Sequence, residues 1–336
     1  MIISTDPLSG PLEDEAEDVS EGGASHELRE LTVPAPLHGE RLDRVLAGMI
    51  PEFSRSYLQQ LVEAGHARVN GDVAGKPSQR VRVADRLDID LLPTPQTQAF
   101  RPQPMDLAVV YEDADVLVID KPAGLVVHPA PGHWSGTLLN GLLARDARAA
   151  ALPRAGIVHR LDKDTSGLMV VARSRQAMDA LVRAIAAREV RRQYLALAHG
   201  QWHGSATRDV DAPVGRDPRN RLRMAIVDLD KNSGKPASTG FLLLQKCEHG
   251  CLVECTLRTG RTHQIRVHLA SIGHPLVADA LYGGANAAGL TRQALHAAKL
   301  AFVHPVTGES LSFQAPLPPD MRAALAAWGL GYNGLT

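Results

Sequence analysis

Residues 156–174, GIVHRLDKDTSGLMVVARS, constrain the fold more than any other stretch of the chain. From His159 to Ser166 every position except Leu161 is polar or charged, and apolar segments lie on both sides. In the middle of a packed helix or strand such a run would bury several charges without partners. It must therefore lie in a loop or cleft, entered from an apolar segment and left by a buried strand. Lys163 to Gly167 read as a tight turn, with Asp164 and Thr165 satisfying backbone groups and Gly167 at positive φ. Arg160 and Asp162 are not needed by such a turn, which makes them candidate functional residues.

The rest of the chain supplies the frame. Leu42, Val45, Leu46 and Met49 recur at helical spacing, as do Tyr57, Leu58, Leu61 and Val62. Pro51 separates these two helices, and Ser54 is placed to cap the second. Asn70-Gly71 marks a hairpin. Leu87, Ile89 and Leu91 alternate with Asp88 and Asp90 as in a half-buried strand. After the proline-rich stretch 93–104 come two strands in VVYEDADVLVIDKPAGLVVHP and a helix in TLLNGLLARDARAA. GLMVVARS follows as a buried strand, and an amphipathic helix starts after Ser174. YLALAHG, TGFLLLQKC and CLVECTLRTG read as strands, and QIRVHLASIG as a helix. Strands and helices mix without regular βα alternation, so the expected class is α+β. The expected organisation is a disordered acidic tail (1–31), a small α+β domain (32–92), a linker (93–104), a large domain (105–325) and a C-terminal tail (326–336).

Charge is uneven. The formal net charge is −1, but residues 1–31 hold nine acids and one base, leaving 28 acids and 35 bases elsewhere. A basic body with an acidic tail is compatible with a polyanionic partner, although a charge run can equally be a solvated segment. Three cysteines, at 247, 251 and 255, do not make a disulfide framework and fit a reducing compartment. The N-terminus lacks the basic start and apolar core of a secretory signal, and no run is long enough to span a membrane. A cytoplasmic protein is expected, with monomer as the default. Cys247, His249, Cys251 and Cys255 have no second ligand pair at zinc-site spacing, so no metal is expected. No dinucleotide fingerprint, P-loop or nucleophile elbow is present.

Two resemblances sharpen this reading. GERLDRVLAGMIPEFSRSYLQQLVEAGHARVNG resembles an S4-like RNA-binding domain. The resemblance implies that Arg41, Arg44, Arg55, Arg68 and Lys76 meet RNA phosphates. Between residues 38 and 92 there are eight bases and eight acids, so charge alone makes no such case. HRLDKDTSG resembles the signature of the RluA family of pseudouridine synthases. KPAGLVVHP, VRRQYLALAHG, KPAST, TGRTHQIRVHLASIGHPLVADALYGG and ALHAAKLAFVHPVTGE follow in that family's order. With the S4-like domain, PRAGIVHRLDKDTSGLMVVA looks most like the RluD type, which acts on large-subunit ribosomal RNA.

The family resemblance implies a mixed, largely antiparallel catalytic domain that isomerises uridine to pseudouridine in structured RNA. No cofactor is consumed. It assigns the catalytic carboxylate to Asp162, the base-flipping role to Arg160, an active-site tyrosine to Tyr194 and the cation beside Asp162 to Arg266. An arginine suits that place because it stays charged and can hold a carboxylate by two bonds. The bland alternatives are a strand aromatic in the core for Tyr194 and a surface helix residue for Arg266. GRDPRNRLRMA, with Arg216, Arg219, Arg221 and Arg223, reads as a mobile basic loop that could clamp RNA. Competing functions are a non-catalytic RNA-binding ribosome-assembly factor, a synthase acting on transfer RNA, and a nucleoside hydrolase. The hydrolase would need a second carboxylate or a metal to activate water.

Overall fold

The computed structural model describes residues 27–51, 53–91, 99–130 and 132–332. The chain divides into two compact units between Ala99 and Phe100.

The first unit contains β1 (Glu27–Thr32), α1 (Leu42–Met49), α2 (Arg55–Glu63), β2 (Ala67–Val69), β3 (Asp72–Val73) and β4 (Arg86–Leu91). Its sheet is antiparallel, in the order β1-β4-β2-β3. The apolar stripes of both helices pack on Leu87, Ile89 and Leu91, which β4 turns to the core. Ser54 Oγ accepts from the Tyr57 amide at 3.3 Å and caps α2. Asn70 (φ 55°) and Gly71 (φ 92°) form the two left-handed positions of the hairpin turn.

Asp43, fully buried on α1, joins the two helices. It accepts from Arg41 Nε at 3.0 Å, from Arg55 Nη2 at 2.8 Å and from Gln59 Nε2. The bond from Arg41, helped by Gln59 and Arg55, outweighs burial and holds this carboxyl far below the usual carboxylate range. A carboxylate depressed in the folded state stabilises above its unfolded pKa of about 4 and loses that contribution as pH falls below it. In the full chain, hydrogen-exchange protection of α1 and α2 should therefore fall below about pH 4. Asp43→Asn should lower that protection roughly tenfold already at pH 7 and flatten the acid dependence. Protection insensitive to both changes would remove Asp43 from this role.

The second unit contains β5 (Ala108–Glu112), β6 (Val116–Lys121), α3 (Leu138–Arg145), β7 (Ser166–Ala172), α4 (Arg175–Ala186), β8 (Arg191–His199), β9 (Thr207–Asp211), β10 (Val214–Arg216), β11 (Met224–Ile226), β12 (Gly234–Lys235), β13 (Ser238–Lys246), β14 (Gly250–Leu257), α5 (Gln264–Ser271), β15 (Leu295–Val303), β16 (Ser310–Gln314) and α6 (Pro319–Ala327). The main sheet runs β5-β6-β7-β15-β8-β14-β13-β9, with β16 beside the second half of β15. All its pairs are antiparallel except β7 with β15. β10, β11 and β12 form a small separate sheet.

Every residue of β7 is buried because helices cover both faces. Met169 and Val171 share a core with Leu138, Leu139 and Leu142 of α3 and Ile265 and Leu269 of α5. Leu168, Val170 and Ala172 share another with Ala177 and Leu181 of α4. Each fully buried leucine here contributes about 1.5–3 kcal/mol. Thr137 and Asn140 cap α3 reciprocally, and Ser174 caps α4 through the Ala177 amide. The α+β class with a largely antiparallel sheet is thus observed.

Three boundaries move. β1 begins at Glu27, inside the stretch read as tail; residues 1–26 of that stretch lie outside the described residues. Leu28 and Leu31 lie three apart, out of strand period, so nothing marks a strand until β4 pairs with it. Of the expected linker, 93–98 lies outside the described residues. The second unit already includes Phe100 to Pro104, because the Arg101 carbonyl accepts from Asn140 Nδ2 and Gln103 Oε1 accepts from the Gly136 amide. The expected tail 326–336 is packed through Leu330, which joins Met321 and Leu325 against β8, with Tyr332 partly buried beside them. Residues 333–336 lie outside the described residues. Among the described residues no helix is long and apolar enough to cross a membrane.

Candidate active site

The site is laid out by strand register. Lys121, Gly167, Ala297, Tyr194 and Cys255 are successive partners across β6, β7, β15, β8 and β14. Residues in register share a face, so this row presents Lys121 and Tyr194 on the same side, with only Gly167 and Ala297 between them. Gly167 has φ 113°, and a Cβ there would run into the Ala297 carbonyl. The positive φ expected of this glycine is present, but it serves the close pairing of β7 and β15 rather than the turn before them.

The loop carrying Asp162 crosses this face. Leu161 anchors it in the core beside Ile265 and Tyr194. The turn closes by a backbone bond, Thr165 amide to Asp162 carbonyl, at 3.1 Å. Lys121, with no exposed surface, donates to the carbonyls of Pro122, Leu125 and Lys163 at 2.9, 2.9 and 3.0 Å. It therefore ties the KPAGL turn to the residue next to Asp162. Burial draws the Lys121 pKa down to about 8, against the opposing charges of Asp164 and Asp162. On the other side Arg292 Nη1 donates to the Asp164 carbonyl at 2.9 Å.

Arg266 comes from α5, 104 residues further along. Its Nη1 donates to Asp162 Oδ2 at 3.0 Å. Nε and Nη2 both donate to Asp279, at 2.7 and 2.9 Å. The two-bond partner of this guanidinium is thus Asp279, not Asp162. Arg266 and Asp279 are buried, and the side chain of Asp162 is 18% exposed. Burial works against the Arg266 charge, but its bonds to Asp279 and the charges of both carboxylates outweigh that and raise its pKa above the ordinary value. Asp162 Oδ1 accepts no hydrogen bond among the described residues; its nearest cation-capable neighbour is His263 Nε2 at 3.8 Å.

The TGRTHQIRVH segment folds as it does because its polar residues are divided between two faces of α5. Gln264 Oε1 accepts from Thr259 Oγ1 and the Arg261 amide, and its Nε2 donates to the Ser238 carbonyl and Thr239 Oγ1. His268, one turn on, bonds Thr239 Oγ1 and the Ala212 carbonyl through its two ring nitrogens. This satisfied network fixes the helix on β13, while His263 and Arg266 turn to Asp162.

Tyr194 is 4% exposed and its ring belongs to the core, as the bland reading had it. Its hydroxyl has no hydrogen-bond partner among the described residues. Burial raises its pKa; the Arg192 charge opposes this and the Asp162 charge adds to it. Arg160 is exposed. It acts with Arg154 on His128, whose pKa burial chiefly lowers, to about 4.

The basic candidates are less free than their composition suggests. Arg41 and Arg55 are both engaged by Asp43, each with about half its side chain exposed. Arg44 pairs with Glu40, Arg68 donates to the Gly71 carbonyl, and Lys76 is exposed. The expected mobile loop is the turn of the β10–β11 hairpin, organised by buried Asp217. That carboxylate accepts from the Arg219 amide at 2.8 Å and from Arg223 Nε at 2.6 Å, while Arg216 donates to the Arg221 carbonyl. Arg216, Arg219 and Arg221 remain exposed. Cys251 and Cys255 are buried on β14, where burial pushes the Cys251 thiol up to about 12. No group of three metal-ligating side chains is placed to hold a metal among the described residues.

Sequence reasoning missed Asp279, Tyr282 and Lys121, and it gave His263, inside a matching motif, no acid–base role. Tyr282 receives the Arg266 guanidinium over its ring at 4.9 Å. The available signal was the clustering of Asp279 and Tyr282 in VADALYGG, but nothing in that string names their partner.

A family model described as RNA pseudouridylate synthase matches residues 115–271, and one described as S4 domain matches residues 40–87. "Ribosomal large subunit pseudouridine synthase D" of Xanthomonas campestris pv. campestris is 47% identical over 313 residues, covering 89% of this chain and 92% of that one. "Uncharacterized RNA pseudouridine synthase YlyB" of Bacillus subtilis is 44% identical over 296 residues, covering 87% and 95%. The solved structure titled "Human RNA Pseudouridylate Synthase Domain Containing 1" superposes with a TM-score of 0.52 at 28% identity, covering 67% of this chain and 90% of that one. These similarities over nearly nine-tenths of the chain establish that it belongs to the RNA pseudouridylate synthase family, as an RNA pseudouridine synthase with an N-terminal S4 domain.

Proposed function

We propose that this enzyme converts specific uridines of large-subunit ribosomal RNA to pseudouridine, with Asp162 as the reacting carboxylate. The observation that carries the proposal is the asymmetry of Asp162: Oδ2 is held by Arg266, while Oδ1 is unbonded on a partly exposed side chain. In the reaction the N1–C1′ bond breaks, the uracil turns, and C5 joins C1′. The C5 proton leaves and N1 gains one, so nothing is oxidised or consumed. One carboxylate oxygen can serve either by attacking C1′ or by removing the 2′ proton as the uracil departs. Arg266 holds the other oxygen and so orients the carboxylate.

The remaining roles follow from position. Arg160 at the exposed rim fills the gap left in the RNA stack, offsetting a flipping cost of a few kcal/mol. The Tyr194 hydroxyl edge meets the flipped uracil. Arg216, Arg219 and Arg221, with Arg44, Arg68, Lys76 and the free donors of Arg41, Arg55 and Arg223, contact the RNA backbone. The large-subunit assignment rests on the names of relatives such as the Xanthomonas protein.

Mapping pseudouridines in ribosomal and transfer RNA from cells lacking this protein tests the substrate. A small set should vanish from large-subunit ribosomal RNA and return with the wild-type gene. Losses confined to transfer RNA would overturn the substrate assignment, and an unchanged map would overturn the function.

A further inference from the structure

His263 stands at the head of α5 in a left-handed conformation, φ 55° and ψ 18°, which a non-glycine residue seldom adopts. That conformation aims its imidazole between two groups. Nδ1 is 2.8 Å from the Tyr282 hydroxyl, and Nε2 is 3.8 Å from Asp162 Oδ1. The rings of His263 and Tyr282 meet edge to face at 5.7 Å. The Tyr282 oxygen also accepts from the Met224 amide at 3.0 Å. Met224 begins β11, the return strand of the arginine-bearing hairpin.

One proton arrangement gives the tyrosine proton an acceptor on this chain. The Tyr282 hydroxyl already accepts from Met224, and burial pushes its pKa up to about 12, so it keeps its proton. That proton goes to His263 Nδ1. A neutral imidazole accepting at Nδ1 carries its own hydrogen on Nε2, facing Asp162. The opposite tautomer would turn a lone pair toward the carboxylate and leave the tyrosine proton without an acceptor.

We infer that His263 is a positioning residue for Asp162: its Nε2–H, fixed by Tyr282 and the Met224 amide, orients the carboxylate oxygen that Arg266 leaves free. This deepens the proposed function and rests on Asp162 being the reacting group. Arg266 and His263 then address the two oxygens separately, one by a full hydrogen bond and one from 3.8 Å, so the second remains open to the ribose. The bonds of Tyr282 to His263 and to the Met224 amide register the imidazole to the strand that carries the basic hairpin. The charged and titratable groups acting on His263 are Asp162, Arg266, Asp279 and Arg160, with Tyr282 bonded to it. Burial dominates and lowers its pKa; Asp162 and Asp279 oppose this, and Arg266 and Arg160 reinforce it. A second proton on His263 would displace the tyrosine proton and pair the ring ionically with Asp162, blunting the carboxylate.

The test is single-turnover tritium release from RNA labelled at uridine C5, followed from pH 5 to 9, with RNA affinity measured in parallel. The enzymes are the wild type, Tyr282→Phe, His263→Asn and Asp162→Asn. Asparagine tolerates the left-handed backbone, and Tyr282→Phe removes only a hydroxyl, so both variants should fold. The wild-type rate should fall on the acid side below the ordinary histidine range. Tyr282→Phe should lose about tenfold in rate at pH 7 with unchanged affinity, and its acid limb should move to higher pH, because nothing then reserves Nδ1 as an acceptor. His263→Asn should show a similarly lowered plateau and no such limb. Wild-type plateaus and an unmoved limb in both variants would overturn the inference. Full activity in Asp162→Asn would instead overturn the reading beneath it.

Discussion

Asp162→Asn should reduce tritium release from C5-labelled uridine in RNA by about 10³-fold or more, the scale on which loss of an essential nucleophile is felt. RNA affinity should stay within a few-fold. The substitution is nearly isosteric, and the asparagine carbonyl can still accept from Arg266 Nη1, now at 3.0 Å from Oδ2. What disappears is the charge, and with it the capacity to attack C1′ or take the 2′ proton. Affinity should survive because the exposed arginines of the hairpin and of the S4 domain are untouched. Single-turnover rates beside filter-binding measurements separate the two effects. A variant that released tritium at the wild-type rate would exclude Asp162 as the reacting group, while one that no longer bound RNA would place it in recognition.

Asp279→Ala should destabilise the enzyme by about 3–5 kcal/mol, because it strands a buried guanidinium that now makes two bonds to this carboxylate. At the size of the second unit this corresponds to a drop of ~10 °C in Tm. Arg266 would have only Asp162 left and would swing toward it. The tight pair so formed would hold the reacting carboxylate and slow tritium release by about tenfold or more. Asp279→Asn, which keeps the shape and one acceptor, should lie between the two. Thermal unfolding and single-turnover kinetics on the same preparations check both parts. An alanine variant as stable as the wild type would mean that the buried arginine finds another partner, and that Asp279 does not hold it in place.

The local elements were legible because their causes are local. Ser54 capping α2, the Asn70-Gly71 turn, the alternation of Leu87, Ile89 and Leu91, and the helical spacing of Leu42, Val45 and Leu46 each reflect a few adjacent residues and the backbone geometry they favour. Asp162 also stood out locally, because a dense polar run between apolar segments has no place in a packed element. β1 escaped notice because a strand of mixed charge at a sheet edge is defined by its partner β4. The pairing of the basic candidates was hidden for the converse reason: Asp43 and Asp217 engage Arg41, Arg55 and Arg223 only once the chain has folded.

What the sequence determined alone was the α+β class and the placing of Asp162 in a loop; the resemblance added the expectation that this carboxylate reacts. What tertiary structure decided was how that carboxylate is held. The row from Lys121 through Gly167 and Ala297 to Tyr194 exists only through strand register. In the bridge from Asp162 through Arg266 to Asp279, the first two partners lie 104 positions apart. Hydrogen bonds reach about 3 Å whatever the distance along the chain, so partners of this kind are set by how elements pack and leave no periodic trace in the string of residues.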